Sequence, residues 1–237
     1  MLLEARDLRM AFGGVQALGG MSFEVAQGAA VGLLGQNGSG KTTLVNVLTG
    51  QLRPQAGTVR FRGADMIGRS PEEFSKSGIG RVFQSVQVFP RLTLLENLAA
   101  VQVGQLGHRG HNEESARQIL VRIGLSTYEN EWAQDISYGE QRLLEIGMAL
   151  AAGWDLIFLD EPTAGLSPMM LDRVVELLRE VNRSGVSLVI IEHQTDVVFG
   201  LCEFVWVMDQ GELLAKGSPH EIQADERVLE SYLAGTQ

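Results

Sequence analysis

One octapeptide constrains this 237-residue chain more than any other feature: Gly35-Gln36-Asn37-Gly38-Ser39-Gly40-Lys41-Thr42. It fits G-x-x-x-x-G-K-[ST] in full. It follows the apolar run Ala29 to Leu34, which reads as a strand, and opens a stretch of helical period from Lys41 to Thr49. In a strand–loop–helix the glycines let backbone N–H groups turn inward, and the helix N-terminus adds the positive end of its dipole, so the loop suits phosphate. Lys41 is expected to reach the β- and γ-phosphates of a nucleotide and the Thr42 hydroxyl to bind Mg²⁺, with Thr43 as the next contact.

A second element fits the first. Leu156-Ile157-Phe158-Leu159 is an apolar run ending in two carboxylates, Asp160 and Glu161. Asp160 is suited to orient Mg²⁺, and Glu161 to polarise an attacking water. Ser187 to Ile191 is a further apolar strand, and the stretch Leu171 to Val181 between the two has helical period. Runs that do not alternate predict strands buried on both faces of a parallel sheet. Residues 2–8, 21–25, Thr58 to Arg62 and Ile79 to Phe83 are other strand candidates, with turns at Gly13-Gly14 and Gly19-Gly20. Phe204 to Met208 and Glu212 to Ala215 read as a hairpin about Asp209-Gln210-Gly211. From Leu94 to about Ala152 the pattern is helical, clearest at Glu113–Ile123 and Glu140–Ala151, and a last helix is expected from about Glu226 to Leu233. The division expected is an α/β core of residues 1–84 and 154–237 around a helical insertion of residues 85–153.

Composition narrows the classes. A formal net charge of −10 argues against a general nucleic-acid binder. The single cysteine, Cys202, excludes an intrachain disulfide or a cysteine–zinc cluster, and its apolar neighbours suggest a core thiol. The histidines His108, His111, His193 and His220 show no metal-ligand spacing, and His108 and His111 read as solvated. No apolar run approaches the ~20 residues needed to span a bilayer, and the first residues lack the layout of a signal peptide. The chain is expected to be cytosolic and to meet a membrane only through a partner.

The choice among phosphate-loop enzymes comes from Ile136-Ser137-Tyr138-Gly139-Glu140-Gln141-Arg142, which resembles the signature motif of ABC ATPases. In the same order along the chain, Gln84 resembles the Q-loop glutamine, Ala164-Gly165-Leu166-Ser167 the D-loop, and His193 the switch histidine, with Phe12 in the place of the aromatic residue that stacks on adenine. The resemblance implies an ABC-type P-loop domain, α/β, with an antiparallel β subdomain and an inserted helical subdomain. It also implies two ATP molecules held between head-to-tail subunits. Ser137, Gly139 and Glu140 would then serve ATP on the opposite subunit, Gln84 would touch Mg²⁺ and water, and His193 would hold γ-phosphate near Glu161. Tyr138 stands where the family has glycine, Glu140 where it has glutamine, and Ser167 where it has aspartate.

Finer features resemble the ATP-binding subunits of branched-chain amino acid importers, whose relatives carry urea or short amides. They are Phe12-Gly13-Gly14-Val15-Gln16-Ala17-Leu18, Arg81-Val82-Phe83-Gln84, Tyr138 to Arg142 followed by Leu144-Glu145-Ile146-Gly147, and Tyr232-Leu233-Ala234-Gly235. That resemblance implies permease partners, a second ATPase chain of the same or another kind, an extracytoplasmic solute-binding protein, and a place on the cytoplasmic face of the inner membrane. Val86, Val88, Phe89, Leu92 and Leu95 are expected to line a groove for a permease coupling helix. The alternatives are the ATPase of lipopolysaccharide export, against which Tyr138 argues, and a soluble non-transport ABC ATPase.

Overall fold

The computed structural model describes residues 1–106 and 112–234; His108, His111 and Gly235 lie outside them. The chain order is β1 (Leu3–Phe12), β2 (Val15–Val25), β3 (Ala30–Gly35), α1 (Lys41–Leu48), β4 (Ala56–Phe61), β5 (Ala64–Asp65), α2 (Pro71–Ser77), β6 (Ile79–Val82) and α3 (Leu94–Leu106). It continues with α4 (Glu113–Arg122), α5 (Tyr138–Ala151), β7 (Leu156–Asp160), α6 (Pro168–Arg183), β8 (Ser187–Ile191), α7 (Thr195–Leu201), β9 (Phe204–Asp209), β10 (Glu212–Gly217), α8 (Pro219–Ala224) and α9 (Glu226–Ala234).

The expectation of doubly buried strands holds in detail. A six-stranded sheet runs β10-β9-β3-β8-β7-β6, parallel throughout except for the β9–β10 hairpin. Successive residues of its inner strands enter opposite cores. Leu156, Phe158, Val189, Ile191, Trp206 and Met208 face one cluster, and Ile157, Leu159, Leu188, Ile190, Val205 and Val207 face the other. Each side chain therefore leaves water on one face or the other, the condition under which a parallel sheet is stable.

The first cluster is closed by α1 and a four-stranded antiparallel sheet, β2-β1-β4-β5, with Phe23 tilted against Trp206 at 5.2 Å between ring centroids. The second is closed by α4, α5 and α6. In α6 the buried set Val174, Leu177, Leu178 and Val181 repeats at helical spacing, and Ser167 with Pro168 starts the helix. Ser167 accepts from the Met170 N–H at 3.4 Å, so the residue replacing the common aspartate serves as a helix cap.

Some elements differ from the sequence reading. Gly13-Gly14 is the β1–β2 turn, but Gly19-Gly20 lies inside β2, where the pairing with β1 shifts register instead of turning. Helices α2, α7 and α8 lie where no helix is expected. Cys202 is buried, and burial pushes its thiol up to about 12. No helix among the described residues is long and apolar enough to cross a membrane.

Candidate active site

The parallel strands deliver chemistry at their C-terminal ends, where ligands of open α/β sheets bind. β3 ends in the glycine loop, β6 leads to Gln84, β7 ends at Asp160 with Glu161 next, and β8 leads to Glu192 and His193. These ends surround a cavity of about 610 Å³ whose walls include Asn37 to Thr43, Gln84, Asp160, Glu161 and His193, with Val15 to Ala17 on one side.

The loop's own residues fix its shape. Gly40 has φ +99°, and a Cβ there would stand 2.5 Å from the Ala17 carbonyl, so both conformation and space require glycine. Lys41 is buried, and its Nζ donates to the carbonyls of Gly35 at 2.7 Å and Gln36 at 2.9 Å. Burial lowers its pKa from the ordinary value, while the charges of Glu161 and Asp160 raise it. The Ser39 hydroxyl is buried without a hydrogen-bond partner. An orphaned donor inside a loop of inward N–H groups fits an anion. Gln36 is half-buried and is not among the cavity walls; its side-chain amide donates to the Ser231 carbonyl of α9.

Glu161 is the centre of the far wall. Gln84 Nε2 donates to its Oε2 at 2.7 Å, and His193 Nε2 lies 3.1 Å from its Oε1. Two side chains, from the segments after β6 and β8, thus meet on the one carboxylate that follows β7, an arrangement able to hold a water and take its proton. Its backbone has φ +44°, uncommon for a residue with a side chain. Behind it, buried Glu192 accepts from Thr163 N at 3.0 Å and Thr163 Oγ1 at 2.5 Å, tying the loop after β7 to the end of β8.

Asp160 is not bare. Arg81 Nε donates to Asp160 Oδ2 at 3.1 Å, Nη2 also pairs with it, and Nη1 donates to Asn46 Oδ1 of α1 at 2.6 Å. Sequence reasoning missed both Arg81 and Glu192, because each acts through a partner far away in the chain.

Phe12 and the signature residues do not line this cavity. Phe12 sits exposed at the end of β1, beside the turn that carries Val15. Ser137 caps α5: its N–H donates to Glu140 Oε2 at 2.8 Å, and its hydroxyl donates to the same oxygen at 2.6 Å. Glu140, in place of glutamine, therefore completes a capping box. Gly139 is buried, and a Cβ there would stand 2.9 Å from Met170 of α6. In the expected groove Phe89 is exposed, while Val88 and Leu95 pack partly against the core. Buried Asn97 shapes that turn, accepting from Phe89 N at 2.8 Å and donating to the carbonyls of Phe89, Leu92 and Thr93.

Comparison with known proteins agrees with this geometry. Residues 18–164 match the family described as ABC transporter, and residues 212–233 match the one described as branched-chain amino acid ATP-binding cassette transporter. The chain is 35% identical to the high-affinity branched-chain amino acid transport ATP-binding protein LivG of Salmonella typhimurium, covering 98% of this chain and 97% of that one. It is 33% identical to the probable LivG of Archaeoglobus fulgidus, covering 98% and 95%. It is also 34% identical to a ribose import ATP-binding protein of Bacillus licheniformis over 90% of this chain and 44% of that one, so the common core does not by itself mark the solute. A crystal structure of an ATP-binding cassette of an ABC transporter in its ADP conformation superposes with a TM-score of 0.88 at 31% identity, covering 98% of each chain. With its phosphate loop, paired carboxylates and signature helix on that fold, this chain belongs to the ABC transporter family as an ATP-binding cassette ATPase.

Proposed function

We propose that this chain powers an importer of branched-chain amino acids or related small solutes such as urea and short amides, hydrolysing ATP beneath partner permeases. The observation that carries the hydrolytic part is the carboxylate of Glu161 held by Gln84 and His193 across the cavity from the glycine loop. The solute class rests on the LivG relatives and on the match over residues 212–233.

In this reading the loop Gly35 to Thr42, with Thr43, cradles the phosphates, and Lys41 exchanges its carbonyl partners for phosphate oxygens. The donor set of Thr42 hydroxyl, Asp160 carboxylate and Gln84 amide is all oxygen and includes an anion, which fits Mg²⁺. Mg²⁺, when bound, neutralises charge on the phosphate oxygens. Glu161 takes the proton of the attacking water, and His193 steadies both the water and the γ-phosphate. Phe12 stacks on adenine. Ser137, Gly139 and Glu140 complete the site of a second ATPase subunit, the same chain or another. Residues 85–153 form a helical arm on the core of residues 1–84 and 154–237, and its Phe89 groove receives a permease coupling helix. The complex lies at the cytoplasmic face of the inner membrane, fed by an extracytoplasmic solute-binding protein.

Glu161→Gln should retain ATP binding and lose turnover by about 10²- to 10⁴-fold. Unchanged phosphate release would remove Glu161 from the role of base. Affinity purification from mild-detergent membranes, followed by mass spectrometry, tests the transport reading. Permeases with a second ATPase support it, whereas lipid-export subunits or recovery from the soluble fraction alone would overturn it.

A further inference from the structure

Arg142 lies on α5, five residues beyond Ser137, and is fully buried. Its Nη1 donates to the Phe83 carbonyl at 2.7 Å and to Glu145 Oε2 at 2.7 Å. Its Nη2 donates to the Gln84 carbonyl and, at 3.4 Å, to the Tyr138 hydroxyl. The other oxygen of Glu145 accepts from the Gln87 N–H at 3.1 Å. One buried ion pair thus grips the main chain at both ends of the segment Phe83 to Gln87. A surface pocket of about 150 Å³ adjoins Phe83, Gln87 and Glu145. Burying a guanidinium and a carboxylate costs several kcal/mol unless every bond is well placed. Arg142 Nε is buried without a hydrogen-bond partner, so stability alone is a weak account of the pair.

Tyr138, the departure from the signature glycine, belongs to the same assembly. Its hydroxyl meets Arg142, and its ring edge lies 3.6 Å from where a Cβ on Gly165 would stand. The α5 N-terminus therefore touches the segment carrying Gln84 on one side and the loop after β7 on the other.

We propose that Arg142, braced by Glu145, is a positioning residue for ATP hydrolysis: it fastens Phe83 to Gln87 onto the start of α5, so that Gln84 and Ser137 hold one spacing through the cycle. This rests on the roles given above to Gln84 and Glu161. The Gln84 carbonyl is held by α5 while its side chain holds Glu161, so slack at Arg142 becomes misplacement at the carboxylate. Misplacement of about 1 Å at a reacting group costs about 10²-fold in rate.

The test compares wild type with Arg142→Met, Arg142→Lys and Glu145→Gln in the full chain by hydrogen exchange without nucleotide and by steady-state ATP hydrolysis. In Arg142→Met the Gln87 amide, bonded to the Glu145 carboxylate that Arg142 braces, should exchange about tenfold faster while the amides of Gly38 to Lys41 stay unchanged. kcat should fall by about 10- to 100-fold with KM for ATP within about twofold. Arg142→Lys, able to reach one carbonyl, should recover part of both. Glu145→Gln keeps the volume and should loosen Gln87 with a smaller loss of kcat; it carries the test should Arg142→Met fail to fold. Unchanged exchange at Gln87 in the folded variants, or kcat equal to wild type in all three, overturns the proposal. The exchange measurement needs no turnover, so a failure of Glu161→Gln to slow hydrolysis would strike the base assignment and leave the grip itself separately tested.

Discussion

Lys41 and Arg142 perform the same act in two parts of the molecule: each is a buried cation that binds the carbonyls of two consecutive residues. Lys41 closes on Gly35 and Gln36 within its own loop, six and five residues back. Arg142 closes on Phe83 and Gln84, 59 and 58 residues back. The first bond forms with the loop, wherever the loop folds. The second exists only once α5 has docked, since loop closure over such a distance must be offset by other contacts. Local fastening shapes a loop, and distant fastening ties two parts of the fold to each other.

Removing the local fastener should have the largest effect. Lys41→Ala should weaken ATP binding by more than about 100-fold, since a charge-assisted contact inside a dry loop is lost. Its thermal midpoint should stay near wild type. Nucleotide binding by calorimetry is the check, and affinity within tenfold of wild type would show that the loop's N–H groups suffice. A second variant tests the turn that leads into α3. Asn97→Ala leaves the Phe89 N–H without its side-chain acceptor and should cost about 2 kcal/mol, read as a lower urea midpoint at an unchanged slope. ATP affinity should hold, because Asn97 lies outside the cavity walls.

The remaining effect concerns acid. Burial, against the pull of Arg142, pushes the Glu145 carboxyl from 4.5 up to about 7. A pKa raised by folding means the folded chain binds that proton more readily than the unfolded chain. Its contribution to stability is full below about pH 4.5 and is lost as pH rises through about 7, a change of at most about 3 kcal/mol. Glu145→Gln should flatten that part of the slope. Urea midpoints from pH 5 to 8 that fall equally in both proteins would show that Glu145 does not titrate there.

The comparison also explains what the sequence made readable. The phosphate loop was readable because its glycines, lysine and hydroxyl lie within eight residues and act on their own backbone. Glu161, Gln84 and His193 were readable through their places in an ordered set, and the fold brings all three together. Arg81 with Asp160, Arg142 with the Gln84 carbonyl, and Glu192 with Thr163 were not readable, because nothing near either partner announces a bond across 29 to 79 residues. The short helices α2 and α8 escaped for a different reason: six or seven residues show too little apolar period. A signal was present in Ser70-Pro71-Glu72-Glu73 and Ser218-Pro219-His220-Glu221, where a serine three residues before a glutamate forms a capping box. The departures in the signature became intelligible only in three dimensions, Glu140 as a cap partner and Tyr138 as a contact of Arg142.

The left-handed backbone at Glu161 has a consequence for how such a chain evolves. An L-residue with φ near +44° gives up about 1–2 kcal/mol that glycine would not. Glycine there would relieve the turn and delete the carboxylate. A population of variants screened only for endurance to heat would drift toward glycine at 161, and one screened for work would hold glutamate against that drift. The chain thus keeps a small, permanent debt of stability at the position to which the proposed function assigns the base.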